Sequence, residues 1–396
     1  MPDVALVGYG AIPLGKYPET TETELAVEVI VQALENTGVT KDQIEGLYTT
    51  NNYVNTMHLQ MSLVAEAMRI TPKSMAEVNC GGMAGGLVLK YAMMEIKMGY
   101  VDIAVCYAAE REFSIKSHLH RMSAEVNMGN PCYEPTQQPV RNPYGTQGII
   151  SDYAFSARRY MHEYNATEED FASAVVRDNK NALNSPYAAF KSRITVNDVL
   201  NSKPICPPIK LFDACSIRDG AAAIVLTKAE LARNFTDTPI LFKGFGQYHD
   251  CSLFTPSKID TSLSSFIAVR KAAKQAFSMC KISPTDVDVA ELYAPFSPQE
   301  LMIPEDIGWF PKGGMIQGIR DGSTEIGGTI PINTDGGLLA RGHPAFVTPL
   351  YETITIMRQL QGEAGKNQVT GANIGLMQCE GGLINNCFIA IFERGD

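Results

Sequence analysis

Residues 76–86 read AEVNCGGMAGG, and the fold and the chemistry both turn on how that stretch is read. A short apolar strand runs into a cysteine and a glycine-rich turn, and the helix-like LVLKYAMMEIKMG (87–99) follows. Strand, glycine turn and helix in this order carry a side chain to a helix N-terminus, where a thiol loses its proton more readily and its attack is aimed. Cys80 is therefore either a nucleophile or a small buried side chain beside a place that a nucleophile has left.

Outward from that stretch the chain alternates strand-like and helix-like patterns. DVALVGYG (3–10), TELAVEVIVQALENTG (23–38) and IEGLYTTN (44–51) precede it, and VDIAVCYAAE (101–110) follows the helix. After DGAAAIVLTKAELA (219–232) the pattern restarts. PILFKGFGQ (239–247) echoes DVALVGYG, and FIAVRKAAKQAFSMCKISPTDVDVAELY (266–293) echoes ELAVEVIVQALENTGVTKDQIEGLY (24–48). TIPINTDGG (329–337) then echoes MAEVNCGG (75–82). Three matched segments in one order indicate an internal duplication. The expected body is an α/β protein of two similar αβαβα halves, with five-stranded sheets sandwiching helices. The first half takes 1–111 and closes with 206–238, and the second takes 239–396. The stretch 112–205, polar and rich in Asn, Tyr and Pro, reads as a long insertion covering a site.

Composition limits the partners. The 396 residues carry a formal charge of −10 with no dense Lys/Arg block, which argues against nucleic acid and acidic membrane surfaces. No run reaches the roughly 18 apolar residues of a membrane span, and the strand-like start lacks a basic leader pattern. Nine scattered cysteines without a CxxC fit reduced thiols and a cytoplasmic location.

The duplicated halves, the glycine-rich turn, GGLLARGHP (336–344) and QCEGG (378–382) together resemble the thiolase superfamily over essentially the whole chain. The resemblance makes His343, between Gly342 and Pro344, the family's catalytic histidine, and makes Cys379 its C-terminal catalytic cysteine. ARRYMHEYNATEEDFA (157–172), PICPPIKLFDACSIRDGAAAIVLTKAELA (204–232), PYG (143–145) and ELYAPF (291–296) are similar to the sterol-carrier-protein-type thiolase or lipid-transfer-protein branch. Tyr293 stands where the family places an Asn or a His.

In the family's helix an apolar residue, an aliphatic and a glycine follow the nucleophile at fixed steps. Leu89, Ile96 and Gly99 fit those steps when counted from residue 82, which is glycine. The resemblance thus implies a vacated nucleophile position at Gly82. Cys80 lies two residues earlier, on the same strand face at about 6.5 Å, and a register shift of two would restore it.

Three functions follow from the resemblance. The favoured one is retro-aldol cleavage of the α–β carbon bond of a bulky β-hydroxyacyl-CoA. His343 would stabilise the enolate, Tyr293 would take the hydroxyl proton, and Cys379 would manage the α-proton. Tyr293 is otherwise a packed strand-end tyrosine. Steroid side-chain retro-aldolases of this branch carry that tyrosine but tend to replace the histidine this chain keeps. The alternative is a two-component thiolase similar to the benzoylsuccinyl-CoA type, with Cys80 or free CoA attacking. The third is a non-catalytic acyl-CoA or lipid binder.

Coenzyme A is expected as part of the substrate, with no covalently bound cofactor, although no GxGxxG after a strand and no P-loop mark its site. The family also implies a homodimer and a small OB-fold/zinc-ribbon partner. Among other residues, Tyr248 and His249 of GFGQYHD follow the first strand of the second half, where the family lines its pocket. They are candidate substrate contacts or ordinary turn residues. Gly342, Gly381 and Gly382 are candidate backbone contacts to substrate or CoA. His118 and His120 have the spacing of a metal pair without acidic or thiol neighbours, so no metal is expected. His162 reads as a helix-surface residue. Arg141, Arg158 and Arg159 are candidate partners for CoA phosphates.

Overall fold

A computed structural model describes residues 3–50, 59–115, 149–250, 263–382 and 385–395. The first half runs β1 (Val4–Ala11), α1 (Glu22–Glu35), β2 (Gly46–Thr50), α2 (Gln60–Met68), β3 (Ser74–Val78), α3 (Ala84–Lys97) and β4 (Ile103–Glu110). The insertion supplies α4 (Ile149–Tyr164), α5 (Glu168–Ala182) and a small hairpin of β5 (Pro204–Cys206) with β6 (Ile209–Lys210), and β7 (Gly220–Lys228) closes the half. The second half runs β8 (Ile240–His249), α6 (Ile267–Cys280), β9 (Val289–Leu292), α7 (Gln299–Ile307), α8 (Thr348–Gln361), β10 (Ile374–Gly381) and β11 (Asn386–Arg394).

The nine main strands join in the order β3-β2-β4-β7-β1-β8-β11-β10-β9. This order is the duplication made visible. β2–β4 and β9–β10 are parallel, while β4–β7, β7–β1, β10–β11 and β11–β8 are antiparallel. The two expected five-stranded sheets are fused where β1 pairs with β8 at Ala5–Leu241 and Leu6–Ile240. Among the described residues the second half has four strands, and its fifth is reduced to a single bridge between Ala290 and Ile332. The cause is local. Pro331 has no N–H to donate, and Asn333 turns the chain away at φ 52°.

The glycine echo has a packing reason. A Cβ on Gly10 would lie 2.1 Å from the Val29 carbonyl oxygen of α1, and one on Gly246 would lie 1.8 Å from that of Ala272 in α6. In each half a helix backbone rests directly on the first strand, and only glycine leaves it room. α1 begins with a reciprocal capping box between Thr21 and Glu24, and it buries Leu25, Ala26, Val29, Ile30, Ala33 and Leu34.

Three apolar clusters set the layers. The largest surrounds α3 and α8 and takes residues from the strands of both halves. A second lies under α1 and α2, and a third under α4, α6 and α7. The described part of the insertion is more than a cover. Arg177 of α5 is buried with Asp178 and Glu300 of α7, which accounts for the polar sequence there. Among the described residues, no helix is long and apolar enough to cross a membrane.

Replacing Gly246 with alanine is expected to destabilise the fold by about 2 kcal/mol or more, because a backbone atom rather than a movable side chain blocks the added methyl. Gly10→Ala is expected to act in the same direction. Urea unfolding of the two variants checks both.

Candidate active site

β3 ends at Val78, and the chain turns through Cys80, Gly81 at φ 60° and a single 3-10 turn (Gly81–Met83) into α3. A Cβ placed on Gly82 would lie 2.3 Å from the Tyr293 phenol oxygen and 2.6 Å from the Glu380 carbonyl oxygen. The space a side chain at 82 would need is therefore filled, and Tyr293 fills it. No thiol at this position coexists with the tyrosine where it stands.

Tyr293 follows β9 and is held by its backbone N–H, which donates to the Gln378 carbonyl oxygen at 3.0 Å and to the Gln378 side-chain oxygen at 3.1 Å. Its phenol oxygen lies 2.6 Å from His343 Nε2, and the two rings meet edge to face with centroids 5.2 Å apart. Burial, with the Glu380 carboxyl the next cause, pushes the phenol well above its usual range. The hydroxyl therefore keeps its proton at neutral pH, and it can donate to Nε2 in the tautomer that carries its proton on Nδ1. Nδ1 lies 3.6 Å from Cys215 Sγ. His343 follows Gly342, whose φ is 112°. Its own N–H donates to the Ser216 carbonyl at 2.9 Å, and its carbonyl accepts from Arg218 N–H at 3.1 Å. The imidazole is fixed from both sides.

Cys379 lies against α3's first turn, its sulfur 4.0 Å from the Met83 carbonyl oxygen. A Cβ on Gly86 would be 2.8 Å from its sulfur, so a second glycine admits the thiol. Cys379 is fully buried, and burial holds it well above the ordinary thiol range. It is a proton donor at neutral pH, suited to protonating carbon and unsuited to attack as a thiolate. Cys80 is half-buried with its thiol also pushed up by burial, the reverse of what activates a nucleophile. Its carbonyl oxygen would sit 2.7 Å from a Cβ on Gly381, so Gly381 lets β10 close on this turn. Gly382 continues at φ 73°.

Tyr293, His343, Cys379 and the turn of Gly82 are thus brought together. Tyr248 and His249 stand apart at the end of β8, with β11 between them and β10. Tyr248 packs on the cluster under α6, and exposed His249 has Nδ1 2.7 Å from Asn386 Oδ1. His162 is exposed on α4, Arg159 pairs with Glu163 at 2.5 Å, and Arg158 donates to the Pro207 carbonyl at 3.0 Å. His118, His120, Arg141 and the 143–145 motif lie outside the described residues. Among the described residues no group of three or more His, Cys, Asp or Glu side chains is placed to hold a metal ion.

Sequence reasoning missed Cys215 and Glu380. Glu380 is buried beside the site, accepting from Tyr153 at 2.9 Å and from the Gln299 side chain at 3.1 Å. Its signal was a charged residue inside an otherwise small and apolar strand end.

Burial pushes the Glu380 carboxyl up to about 8, against 4.5 for an ordinary glutamate. The folded state therefore holds a proton that the unfolded chain releases between those two values. That contribution to stability is complete below about 4.5 and is lost as pH rises through about 8. Glu380→Gln is expected to raise stability by about 2–4 kcal/mol at pH 8, and the gap should close toward pH 5. Thermal unfolding across that range checks it.

Comparison with known proteins bears on the family. Residues 256–394 match the family model described as thiolase C-terminal domain-like. An acetyl-CoA acetyltransferase of Methanothermobacter thermautotrophicus is 33% identical, over 100% of both chains. The 17-hydroxy-3-oxo-4-pregnene-20-carboxyl-CoA lyase of Mycobacterium tuberculosis is 31% identical over 93% of each. Among solved structures, the Ltp2-ChsH2(DUF35) aldolase superposes with a TM-score of 0.85 at 28% identity, covering 98% of this chain and 97% of that one. With the duplicated sheet, the Gly-His-Pro turn and the buried C-terminal cysteine in place, the chain belongs to the thiolase superfamily, in its SCP2-thiolase-like branch.

Proposed function

We propose that this chain cleaves the bond between the α and β carbons of a bulky β-hydroxyacyl-CoA by a retro-aldol reaction, without an acyl-enzyme. The observation that carries the reading is the Tyr293 phenol standing where a Cβ of residue 82 would be, 2.6 Å from His343 Nε2. A phenol held protonated is a poor base by itself, but paired with an imidazole it passes protons on. The substrate's β-hydroxyl gives its proton to the Tyr293 oxygen as the phenol proton moves to His343 Nε2. The α–β bond breaks, the β carbon becomes a ketone or aldehyde, and the bonding electrons enter the thioester as an enolate. The imidazolium just formed balances that negative charge. Cys379 then protonates the α carbon, releasing a shortened acyl-CoA. In this account His343 serves as the base behind Tyr293 as well as the stabilising charge.

The similar lyase and aldolase support a CoA thioester as substrate. The assembly of the similar aldolase from two named components supports a small OB-fold/zinc-ribbon partner, which we place with a homodimer of this chain in the cytoplasm. Thiolysis is the second reading, favoured by the full-length likeness to an acetyl-CoA acetyltransferase and by the survival of Cys80 beside the turn.

One experiment separates them. With a β-hydroxyacyl-CoA, Tyr293→Phe is expected to lower kcat by about 10²–10⁴-fold, while Cys80→Ala leaves turnover within about twofold and a carbonyl product appears. An acyl group trapped on Cys80 by mass spectrometry, with Cys80→Ala inactive, would establish the thiolase instead.

A further inference from the structure

The reaction above leaves two protons misplaced after each turnover: Cys379 has lost one and His343 has gained one. A buried acid that no step yet uses stands close to the first of these. Glu352 lies on α8, whose inner face is fixed at two points. Pro349 lies 3.2 Å from where a Cβ on Gly85 would be, and Ile356 lies 2.4 Å from where one on Gly375 would be. Glu352 sits between them on that same face. The strand face it meets carries Gly375, Met377 and Cys379, which alternate inward along β10. Its side chain is only 1% exposed.

Neither carboxyl oxygen of Glu352 has a hydrogen-bond partner among the described residues. Two neighbours share that condition. Arg341, fully buried, binds Asp335 through Nη1 at 2.6 Å but leaves Nε and Nη2 unpartnered, and so does the Thr348 hydroxyl one turn earlier on α8. Leaving buried polar groups without a partner is costly, and a bridging water is the ordinary way such groups are satisfied. The charged groups whose fields reach Glu352 are Arg341, Asp335, Glu380 and Glu300, and its own charge acts in turn on Cys379 and Tyr293. Arg341 already has one carboxylate in Asp335. A second anion held beside it out of water is costly, so Glu352 rests as the neutral acid.

We propose that Glu352 is the positioning residue that reloads Cys379. Its carboxyl O–H gives a proton to the thiolate left after carbon protonation, through water among Thr348, Arg341 and Glu352. The carboxylate so formed is held for the moment by the free N–H groups of Arg341, and it recovers a proton from the Tyr293–His343 pair. One O–H bond breaks as one S–H bond forms, nothing is oxidised, and over one turnover the enzyme takes one proton from the substrate's hydroxyl and gives one to its α carbon.

This inference rests on the enolate chemistry proposed above, and the test keeps the two apart. Wild type, Glu352→Gln and Glu352→Asp are incubated with acetyl-CoA in D2O, and deuterium entering the methyl group is followed by mass spectrometry beside turnover of a β-hydroxyacyl-CoA. The expected result is exchange by wild type and a loss of about tenfold or more in both exchange and kcat for Glu352→Gln, with KM and melting temperature kept. Glu352→Asp, which retains the acid, should recover part of both rates. Exchange and kcat in Glu352→Gln equal to wild type would overturn the relay and leave the enolate reading standing. Equal losses in the Gln and Asp variants, with both folded, would also overturn the relay, since shape and not the proton would then be responsible. No exchange by wild type would overturn the enolate reading and the relay with it.

Discussion

The hydrogen bond between the Tyr293 phenol and His343 Nε2 exists because residue 82 has no side chain. A Cβ there would come within 2.3 Å of the phenol oxygen, closer than any real Cβ contact. The chemistry of the site therefore depends on an atom that is missing. Everything around the pair is arranged to hold it. Tyr293 is tied to β10 through Gln378, and His343 is tied through its backbone to Ser216 and Arg218. The two groups come from different connections of the second half, and the first half contributes the glycine floor on which they meet.

The surroundings are unusual in charge. Arg177 with Asp178 and Glu300, and Arg341 with Asp335, are ion pairs out of contact with water. Buried pairs of this kind seldom add net stability against an apolar core of the same volume. Their effect here is to fix positions. Asn333 donates to Glu300 at 2.7 Å and accepts from the Leu292 N–H at 2.7 Å, so the charge network ends at the residue before Tyr293. Arg341 is two residues from His343. Tyr293 and His343 are thus each anchored to a buried ion pair through a short piece of backbone, which limits their freedom.

Much of this was legible in the sequence, for physical reasons. The GYG and GFG echoes are backbone-on-backbone contacts that admit only glycine, so they had to recur. Gly-His-Pro is a local turn and Gln-Cys-Glu-Gly-Gly is the end of β10, each a signal contained within a few residues. The expectation of a vacated position at 82 comes from the resemblance, which sets Leu89, Ile96 and Gly99 at fixed steps from the family's nucleophile. That Tyr293 fills the vacancy could not be read, since the contact joins segments far apart in sequence. Glu352 was hidden differently. α8 is buried on nearly every face from Thr348 to Met357, so its periodicity gives no solvent side on which a charge would stand out. The shortened fifth strand of the second half follows from Pro331, which was visible but was read as part of the echo.

The duplication leaves the two corresponding turns in different states. In the first half the turn after β3 is kept open by Gly81 and Gly82. In the second, the corresponding stretch is filled by its own polar groups: Thr334 donates to Glu291 at 2.8 Å from both its N–H and its hydroxyl, and the Gly337 N–H donates to Asp335 at 3.0 Å. Donors that could have faced a substrate are spent on buried carboxylates there. One copy of the turn has become a scaffold, the other a floor for chemistry. Because Asp335 of the scaffold turn holds Arg341, and Arg341 precedes the Gly342-His343 step, the closed turn helps to orient the histidine that stands over the open one.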